Sequence, residues 1–123
     1  MRLLLPCLLL CACSGPRMVQ TDLYFGQLKP GGGKVSEQEW NAFAERHIGA
    51  VFANGSTVTA AMGNWYDTAL HRLVREPSYI VTSVNRMTPR LNRQIDSLRG
   101  HYKTLFRQQS VLRVDRKATV KLF

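Results

Sequence analysis

The stretch Ser78-Tyr79-Ile80-Val81-Thr82-Ser83-Val84 is the most strongly β-forming run of the chain, and the other elements can be placed outward from it. β-branched and aromatic side chains fill this run, and such residues favour a pleated, partly buried strand. The sequence predicts one strand over residues 73–84. Pro77 lies within that strand and has no N–H to donate, so we expect a bulge or bend there.

Towards the amino terminus, the pattern changes from strand to helix. Residues 56–66 alternate in polarity, which predicts another strand, and Asn54-Gly55 before them is a turn signal. Ser36 and Glu39 have the spacing of a capping box and predict the start of a first helix. The predicted apolar face of this helix consists of Trp40, Phe43, Ala44, His47, Ile48 and Val51.

Towards the carboxyl terminus, a second helix and a last strand follow. Thr88 is the predicted cap, because Pro89 after it is favoured at the first helical position. The predicted buried face of this helix consists of Leu91, Ile95, Leu98, Tyr102 and Leu105. Residues 111–114 and 118–123 predict the last strand, with a break around residues 115–116.

The order of the elements predicts the fold class. Residues 21–26 form the first strand, with Leu23 and Phe25 on one face and Tyr24 on the other. The order is then β-α-β-β-α-β, which predicts an α+β domain with the ferredoxin-like arrangement, a four-stranded antiparallel sheet with two helices on one face. Right-handed crossovers place the first and third strands at the centre. We expect the uncovered sheet face to serve as a homodimer interface or a ligand platform.

The chain begins with the layout of an export signal. Arg2 precedes an apolar run over residues 3–10, far short of the roughly 20 residues that a membrane-spanning helix needs. Leu10-Cys11-Ala12-Cys13 resembles the bacterial lipoprotein box, in which the last residue is the acceptor cysteine. The resemblance implies cleavage after Ala12 and lipidation of Cys13, so that acyl chains anchor the protein to a membrane.

This resemblance also implies a location and a domain organisation. Ser14 resembles the residue found in lipoproteins that pass to the outer membrane, so we expect a cell-envelope protein that faces the periplasm. The alternative is an ordinary secretory signal, cleaved nearby, that releases a free protein. The expected division is a signal peptide over residues 1–12, a lipidated tether over residues 13–20 and a single domain over residues 21–123.

The charge of the chain lies almost entirely in its second half. The net charge is +9; residues 68–123 carry twelve Lys or Arg against three Asp or Glu, whereas residues 1–67 carry five of each. Such asymmetry indicates an anionic partner, and export makes an envelope component the expected one and excludes nucleic acid. The candidate anion-binding surface on the second helix consists of Arg90, Arg93, Arg99, Lys103 and Arg107. The alternative is a solvated helix face.

A second candidate site lies beside the expected bulge. Arg75 and Glu76 on the strand, with the indole of Trp65 nearby, are suited to orient a small polar ligand. Tyr79 and Tyr102 are expected to complete a pocket between sheet and helices. The alternative is a structural ion pair between Arg75 and Glu76.

The patterns of common cofactor and metal sites are missing from the sequence. All three cysteines lie within residues 7–13, so we expect neither a disulfide nor a thiol metal site in the mature domain. The histidines lack metal-ligand spacing, and Gly31-Gly32-Gly33-Lys34 lacks the Ser or Thr of a phosphate loop. We find no catalytic triad and predict no metal and no cofactor.

Five short motifs resemble, in order, those of a bacterial domain of unknown function found in secreted proteins and lipoproteins. They are Leu23-Tyr24-Phe25-Gly26, Ser36-Glu37-Gln38-Glu39-Trp40, Gly63-Asn64-Trp65, Val74-Arg75-Glu76-Pro77-Ser78 and Ser110-Val111-Leu112-Arg113-Val114. The resemblance implies an extracytoplasmic α+β domain and brings no established activity, cofactor or catalytic residue. This chain departs from the motifs at Gln109, where the family has Glu, and in its more basic second helix.

Two functions follow from these patterns. The first is a lipid-anchored, non-catalytic module that binds a partner protein or an anionic envelope component. The second is a small-molecule-binding protein or enzyme of the dimeric α/β-barrel type, with its pocket near Trp65, Arg75 and Glu76. The sequence leaves open whether any catalysis occurs.

Overall fold

Four strands and two helices lie within residues 17–122, which are the residues that the computed structural model describes. The elements are strand β1 (Met18–Gly26), helix α1 (residues 37–51), strands β2 (Thr57–Asp67) and β3 (Arg72–Arg86), helix α2 (Pro89–Phe106) and strand β4 (Leu112–Lys117). The expected signal peptide and the lipidation site at Cys13 lie outside the described residues. β4 runs unbroken through residues 115–116, where the sequence predicts a break, and residues 118–122 form no strand.

The four strands form one sheet in the order β2-β3-β1-β4. Every neighbouring pair is antiparallel, and β1 and β3 are central, as right-handed crossovers require. Residues from both helices pack with β1 and β3 in one apolar core. The predicted α+β, ferredoxin-like fold class is therefore confirmed.

Pro77 fits into β3 without the expected bulge. The pairing of β2 with β3 continues without interruption, and Met62 stands opposite Pro77. On the other side, the Gln27 N–H donates to the Pro77 carbonyl at 3.0 Å, and the Gln27 carbonyl accepts from the Val35 N–H at 2.8 Å. The Gln27 carbonyl would pair with an N–H at position 77, which proline lacks. The Val35 N–H donates to this carbonyl instead, so it is not left unpaired.

Helix α1 begins at the predicted capping box. The Ser36 hydroxyl accepts from the Glu39 N–H at 3.1 Å, and the Glu39 carboxylate accepts from the Ser36 N–H at 2.8 Å. After Phe43 the helix widens into a π-helical segment, Ala44–Ile48, before its last turn. Its buried residues are Trp40, Phe43 and Ile48.

Helix α2 also begins as predicted, but its buried face ends one residue later. The Thr88 hydroxyl accepts from the Leu91 N–H at 3.1 Å, and the helix ends at Arg107, whose φ is 53°. The buried residues are Ile95, Leu98, Tyr102 and Phe106. Leu105 is 60% exposed, contrary to the prediction, because a four-residue step from Tyr102 brings Phe106 onto the face that meets the sheet.

An aromatic cluster forms the centre of the core. The Phe25 ring lies 4.8 Å from the Tyr102 ring, 5.4 Å from Trp40 and 5.9 Å from Phe43, measured between centroids. The Tyr102 hydroxyl donates to the Gly26 carbonyl at 2.8 Å. Burial raises the pKa of Tyr102 well above its ordinary value. The cluster thus ties both helices to the end of β1.

The uncovered sheet face has a polar centre. Asp22 is only 5% exposed, and its carboxylate accepts from Thr82 and Arg116 at 2.8 Å and from Gln20 at 3.2 Å. Around it lie apolar side chains that are half-buried or exposed: Tyr24, Ile80, Val84, Leu112 and Val114. A homodimer through this face stays a prediction.

Candidate functional site

A groove of about 440 Å³ lies where β1 ends and the β2–β3 hairpin continues beyond it. β1 pairs with β3 only as far as Gly26 opposite Ser78, whereas β2 and β3 remain paired to Asp67 opposite Arg72. The hairpin supplies Trp65 and Glu76 to the groove. The loop after β1 and the loop between α2 and β4 supply the remaining residues, among them Lys29, Arg107, Gln109 and Ser110.

The Glu76 carboxylate lies directly over the end of β1. Its Oε1 accepts a hydrogen bond from the Leu28 N–H at 3.1 Å. A Cβ atom at Gly26 would stand 2.6 Å from that same oxygen, closer than non-bonded atoms approach. A side chain at position 26 would therefore force the carboxylate to shift, whereas glycine lets it lie against the end of β1.

Trp65 shares the sheet face of Glu76. Trp65 stands opposite Val74 and Gly63 opposite Glu76, so the indole and the carboxylate occupy diagonal positions, within reach of each other for long side chains. Trp65 is 48% exposed, which is unusual for so large an apolar side chain in a strand. An aromatic ring beside a carboxylate is the combination that binds organic cations.

The charges of the groove are not equivalent. Lys29 is engaged with Glu39 at 2.8 Å, and this hydrogen bond lowers the pKa of Glu39. Arg107 forms no salt bridge within residues 17–122. The Gln108 side chain donates to the Leu28 carbonyl at 2.7 Å and so holds the two loops together. The groove thus offers one carboxylate and one guanidinium for a ligand.

The five residues predicted for a ligand pocket do not come together. Trp65 and Glu76 meet in the groove, but Arg75 lies on the opposite face of β3, because adjacent strand residues point to opposite sides. Tyr79 stacks on Trp40 with ring centroids 4.4 Å apart, and Tyr102 is fully buried. The expected pocket between sheet and helices is therefore wrong in its composition, since both tyrosines belong to the core. Arg75 and Glu76 form no salt bridge.

The five predicted anion-binding residues are likewise divided. Arg90 and Arg93 line a second groove, of about 270 Å³, between α1 and α2. Arg99 points elsewhere and donates to the Val111 carbonyl at 2.8 Å and to Asp96 at 2.9 Å, so it holds the start of β4. Lys103 is exposed between these places, and Arg107 lies in the first groove. The five residues therefore do not lie on one surface, because Arg99 is used within the fold and Arg107 lies apart from Arg90 and Arg93. Anion binding by these residues stays a prediction.

Sequence reasoning missed several residues that the fold brings to these sites. Arg46 and His47 of α1 reach the second groove, where the His47 ring lies 5.2 Å from that of His101. Burial, then the nearby His101 and Arg46, lower the pKa of His47. No pattern in the sequence shows that α1 packs beside α2. The proximity of Arg46 and His47 to Arg90, Arg93 and His101 therefore becomes visible only in the fold.

Within residues 17–122, no cluster of three metal-ligating side chains occurs. Neither helix among those residues has the length and apolar character needed to cross a membrane.

Fold and site together define a small α+β domain of the ferredoxin-like type with a ligand-sized groove at one end of its sheet. The chain belongs to the family described as "Protein of unknown function (DUF3574)", whose profile matches residues 20–122. No protein with a curated description matches the chain.

Solved structures show where the fold recurs. A phage SAM lyase in complex with S-methyl-5′-thioadenosine superposes with a TM-score of 0.63 at 13% identity, over 84% of this chain and 83% of the phage chain. The same lyase in its apo state gives 0.61 at 13% identity, over 85% and 83%. CutA from Synechococcus elongatus gives 0.53 at 10% identity, over 85% and 79%. At these identities the likeness shows the fold alone.

Proposed function

We propose that this protein is a small-molecule-binding domain whose site is the groove between the β2–β3 hairpin and the loops at the end of β1. The observation that carries the proposal is the placement of Trp65 and Glu76 on one sheet face, at a groove that also holds Arg107. The short motifs of the sequence support it, since four of the five place a residue in this groove: Gly26, Trp65, Glu76 and Ser110.

The chemistry of these groups defines the ligand class. The indole and the carboxylate favour a cationic group, such as a sulfonium or an alkylated ammonium. Arg107 favours an anionic group at the other end of the same molecule, because a guanidinium binds carboxylates with two parallel hydrogen bonds. We therefore infer a zwitterionic ligand, which both charges of the groove would bind together.

A nucleoside that carries a sulfonium is the first ligand to test. One structural neighbour is a SAM lyase whose structure holds S-methyl-5′-thioadenosine. S-adenosylmethionine combines a sulfonium, a carboxylate and an adenine ring that can stack on an exposed indole. The proposal concerns binding and involves no catalytic step.

We also propose that the domain works at the cell envelope, held by acyl chains on Cys13. The lipoprotein-like pattern at residues 10–13 supports this, and several acyl chains are needed because one alone binds a membrane only marginally. Mass spectrometry of the protein purified from its native membrane checks the anchor. An unmodified amino terminus that retains residues 1–12 would contradict it.

Isothermal titration with S-adenosylmethionine, S-methyl-5′-thioadenosine and glycine betaine tests the groove. We expect S-adenosylmethionine to bind more tightly than the uncharged thioadenosine. Trp65→Ala and Glu76→Gln should each weaken that binding by at least about tenfold, or about 1.4 kcal/mol. Tyr66→Ala is the matched control, because Tyr66 is 56% exposed on the same hairpin but points to the other face.

Two results would overturn the proposed function. The first is the absence of binding for all three probes. The second is binding that Trp65→Ala and Tyr66→Ala weaken equally, since the groove would then have no special part in it.

A further inference from the structure

The second groove, between α1 and α2, has a composition that the fold itself does not explain. Three arginines and two histidines are among its lining residues, and none of its lining residues is acidic. Arg46, Arg90 and Arg93 form no salt bridge within residues 17–122, whereas Arg99, Arg113 and Arg116 each pair with an aspartate. Gathering unpaired like charges costs folding free energy, so these arginines are expected to serve a purpose other than stabilising the fold.

The position of Arg90 and Arg93 strengthens this argument. Both lie near the start of α2, and the first turn of that helix holds no acidic residue. The amino-terminal end of a helix carries a partial positive charge, so cations there destabilise the helix. On the facing helix, Arg46 and His47 lie in the π-helical segment, a type of irregularity that often occurs at functional sites.

The groove lies at the end of the sheet from which the chain leads to Cys13. Met18 at the start of β1 pairs with Arg86, and α2 begins only three residues later at Pro89. Lys117 pairs with Val19 at this same end. Cys13 lies five positions before Met18, and a fully extended chain of that length spans at most about 18 Å. An acyl anchor on Cys13 therefore keeps this basic end of the domain close to the membrane surface.

We infer that the groove between α1 and α2 binds the phosphate group of an anionic lipid in the membrane to which the protein is anchored. Arginine is suited to this ligand because its planar guanidinium donates two parallel hydrogen bonds to phosphate oxygens. Gln94 and Ser97 line the groove as well and offer uncharged donors. This inference rests on the proposed anchor, and it leaves the Trp65–Glu76 groove at the far end of the sheet, directed away from the bilayer.

Vesicle sedimentation of a Cys13→Ser variant tests the inference separately from the anchor, because this variant cannot be acylated. We expect it to bind vesicles of phosphatidylcholine and phosphatidic acid in a ratio of about two to one, and less so as salt increases. Arg90→Gln with Arg93→Gln should weaken this binding by about tenfold or more, since each basic residue near an anionic surface contributes about 1 kcal/mol.

The control variant removes the same charge at the other end of the domain. Arg72→Gln with Arg75→Gln changes two exposed arginines of the hairpin and should weaken vesicle binding less than twofold, a change within ordinary scatter. Equal losses in both double variants would overturn the inference, because binding would then follow net charge and not the groove. Binding of soluble glycerol 3-phosphate without any binding to vesicles would overturn the assignment to a lipid.

Failure of the anchor and failure of the groove give different results. An unmodified Cys13 in the native protein, together with groove-dependent vesicle binding, would overturn only the anchor. A lipidated Cys13 with no vesicle binding by Cys13→Ser would overturn the groove.

Discussion

The two ends of the sheet differ in chemistry although the same two central strands run between them. At the Met18 end, the groove between the helices gathers Arg46, Arg90 and Arg93 with no acidic residue. At the Gly26 end, the groove holds a carboxylate, an exposed indole and one guanidinium. The contrast shows that net charge, which is +9 for the chain, does not describe either site. One end suits a phosphate-bearing surface and the other a small ligand that carries both charges.

The aromatic core lies between the two ends of the sheet. A substitution in this core should have the largest effect on the free energy of unfolding. Phe25 is fully buried among Trp40, Phe43 and Tyr102, so Phe25→Ala should lower the free energy of unfolding by about 3–5 kcal/mol. Tyr24→Ala, on the open face, should cost clearly less because Tyr24 is only half-buried. Urea denaturation of both variants measures the difference. Equal losses would mean that the helix-covered face is not the one that stabilises the domain.

A smaller change should affect only the Gly26 end. Gly26→Ala puts a Cβ atom 2.6 Å from the Glu76 carboxylate, which must then move and lose its hydrogen bond from Leu28. We expect a loss of about 1 kcal/mol in stability, the net value of one hydrogen bond, and weaker ligand binding with vesicle binding unchanged.

Gly63→Ala is the matched control for this prediction. Its added Cβ atom would meet its nearest neighbours at 3.5 Å, an ordinary contact. Calorimetry of both variants compares them, and an unchanged affinity in Gly26→Ala would show that the position of the Glu76 carboxylate is not important for binding.

The smallest effect on stability is expected in the groove between α1 and α2, where the pKa of His47 depends on the neighbouring charges. Burial, then His101 and Arg46, lower its pKa below the usual 6.5, so the folded protein binds fewer protons than the unfolded chain. The contribution of His47 to stability is therefore present above pH 6.5 and is lost as the pH falls below it. Glu39 and Glu45 line a neighbouring surface together with His47.

Proton NMR titration of the His47 imidazole checks this prediction. His101→Gln removes one positive neighbour and should raise the pKa of His47, while burial keeps it below its ordinary value. A pKa of His47 that stays the same in His101→Gln would show that the two rings, 5.2 Å apart, do not interact electrostatically.

Local patterns predicted the elements well, and their failures have identifiable causes. The caps at Ser36 and Thr88 were predictable because each involves residues only three apart. The prediction of a bulge at Pro77 was wrong because Val35, far from Pro77 along the chain, supplies the missing donor, and no local pattern shows this. Leu105 was predicted as buried from spacing alone, whereas packing against the sheet selects Phe106.

The candidate sites were predictable only in part. Trp65 and Glu76 were predicted as ligand-binding residues from their side-chain chemistry, and both line the groove. Arg75 was predicted with them, but it points to the other face of the strand. Arg107 was assigned to a helix face and lies instead at the helix end, in the groove with Trp65.

The sequence by itself determined the order of strands and helices, the capping residues and the concentration of positive charge after residue 68, because these depend on neighbours along the chain. Only the tertiary structure decided that Glu76 lies over Gly26 and that Arg46 joins Arg90 and Arg93. Gly26 and Glu76 are 50 positions apart in the chain, and Arg46 and Arg90 are 44 positions apart. Such contacts depend on strand register and helix packing, which no local pattern encodes.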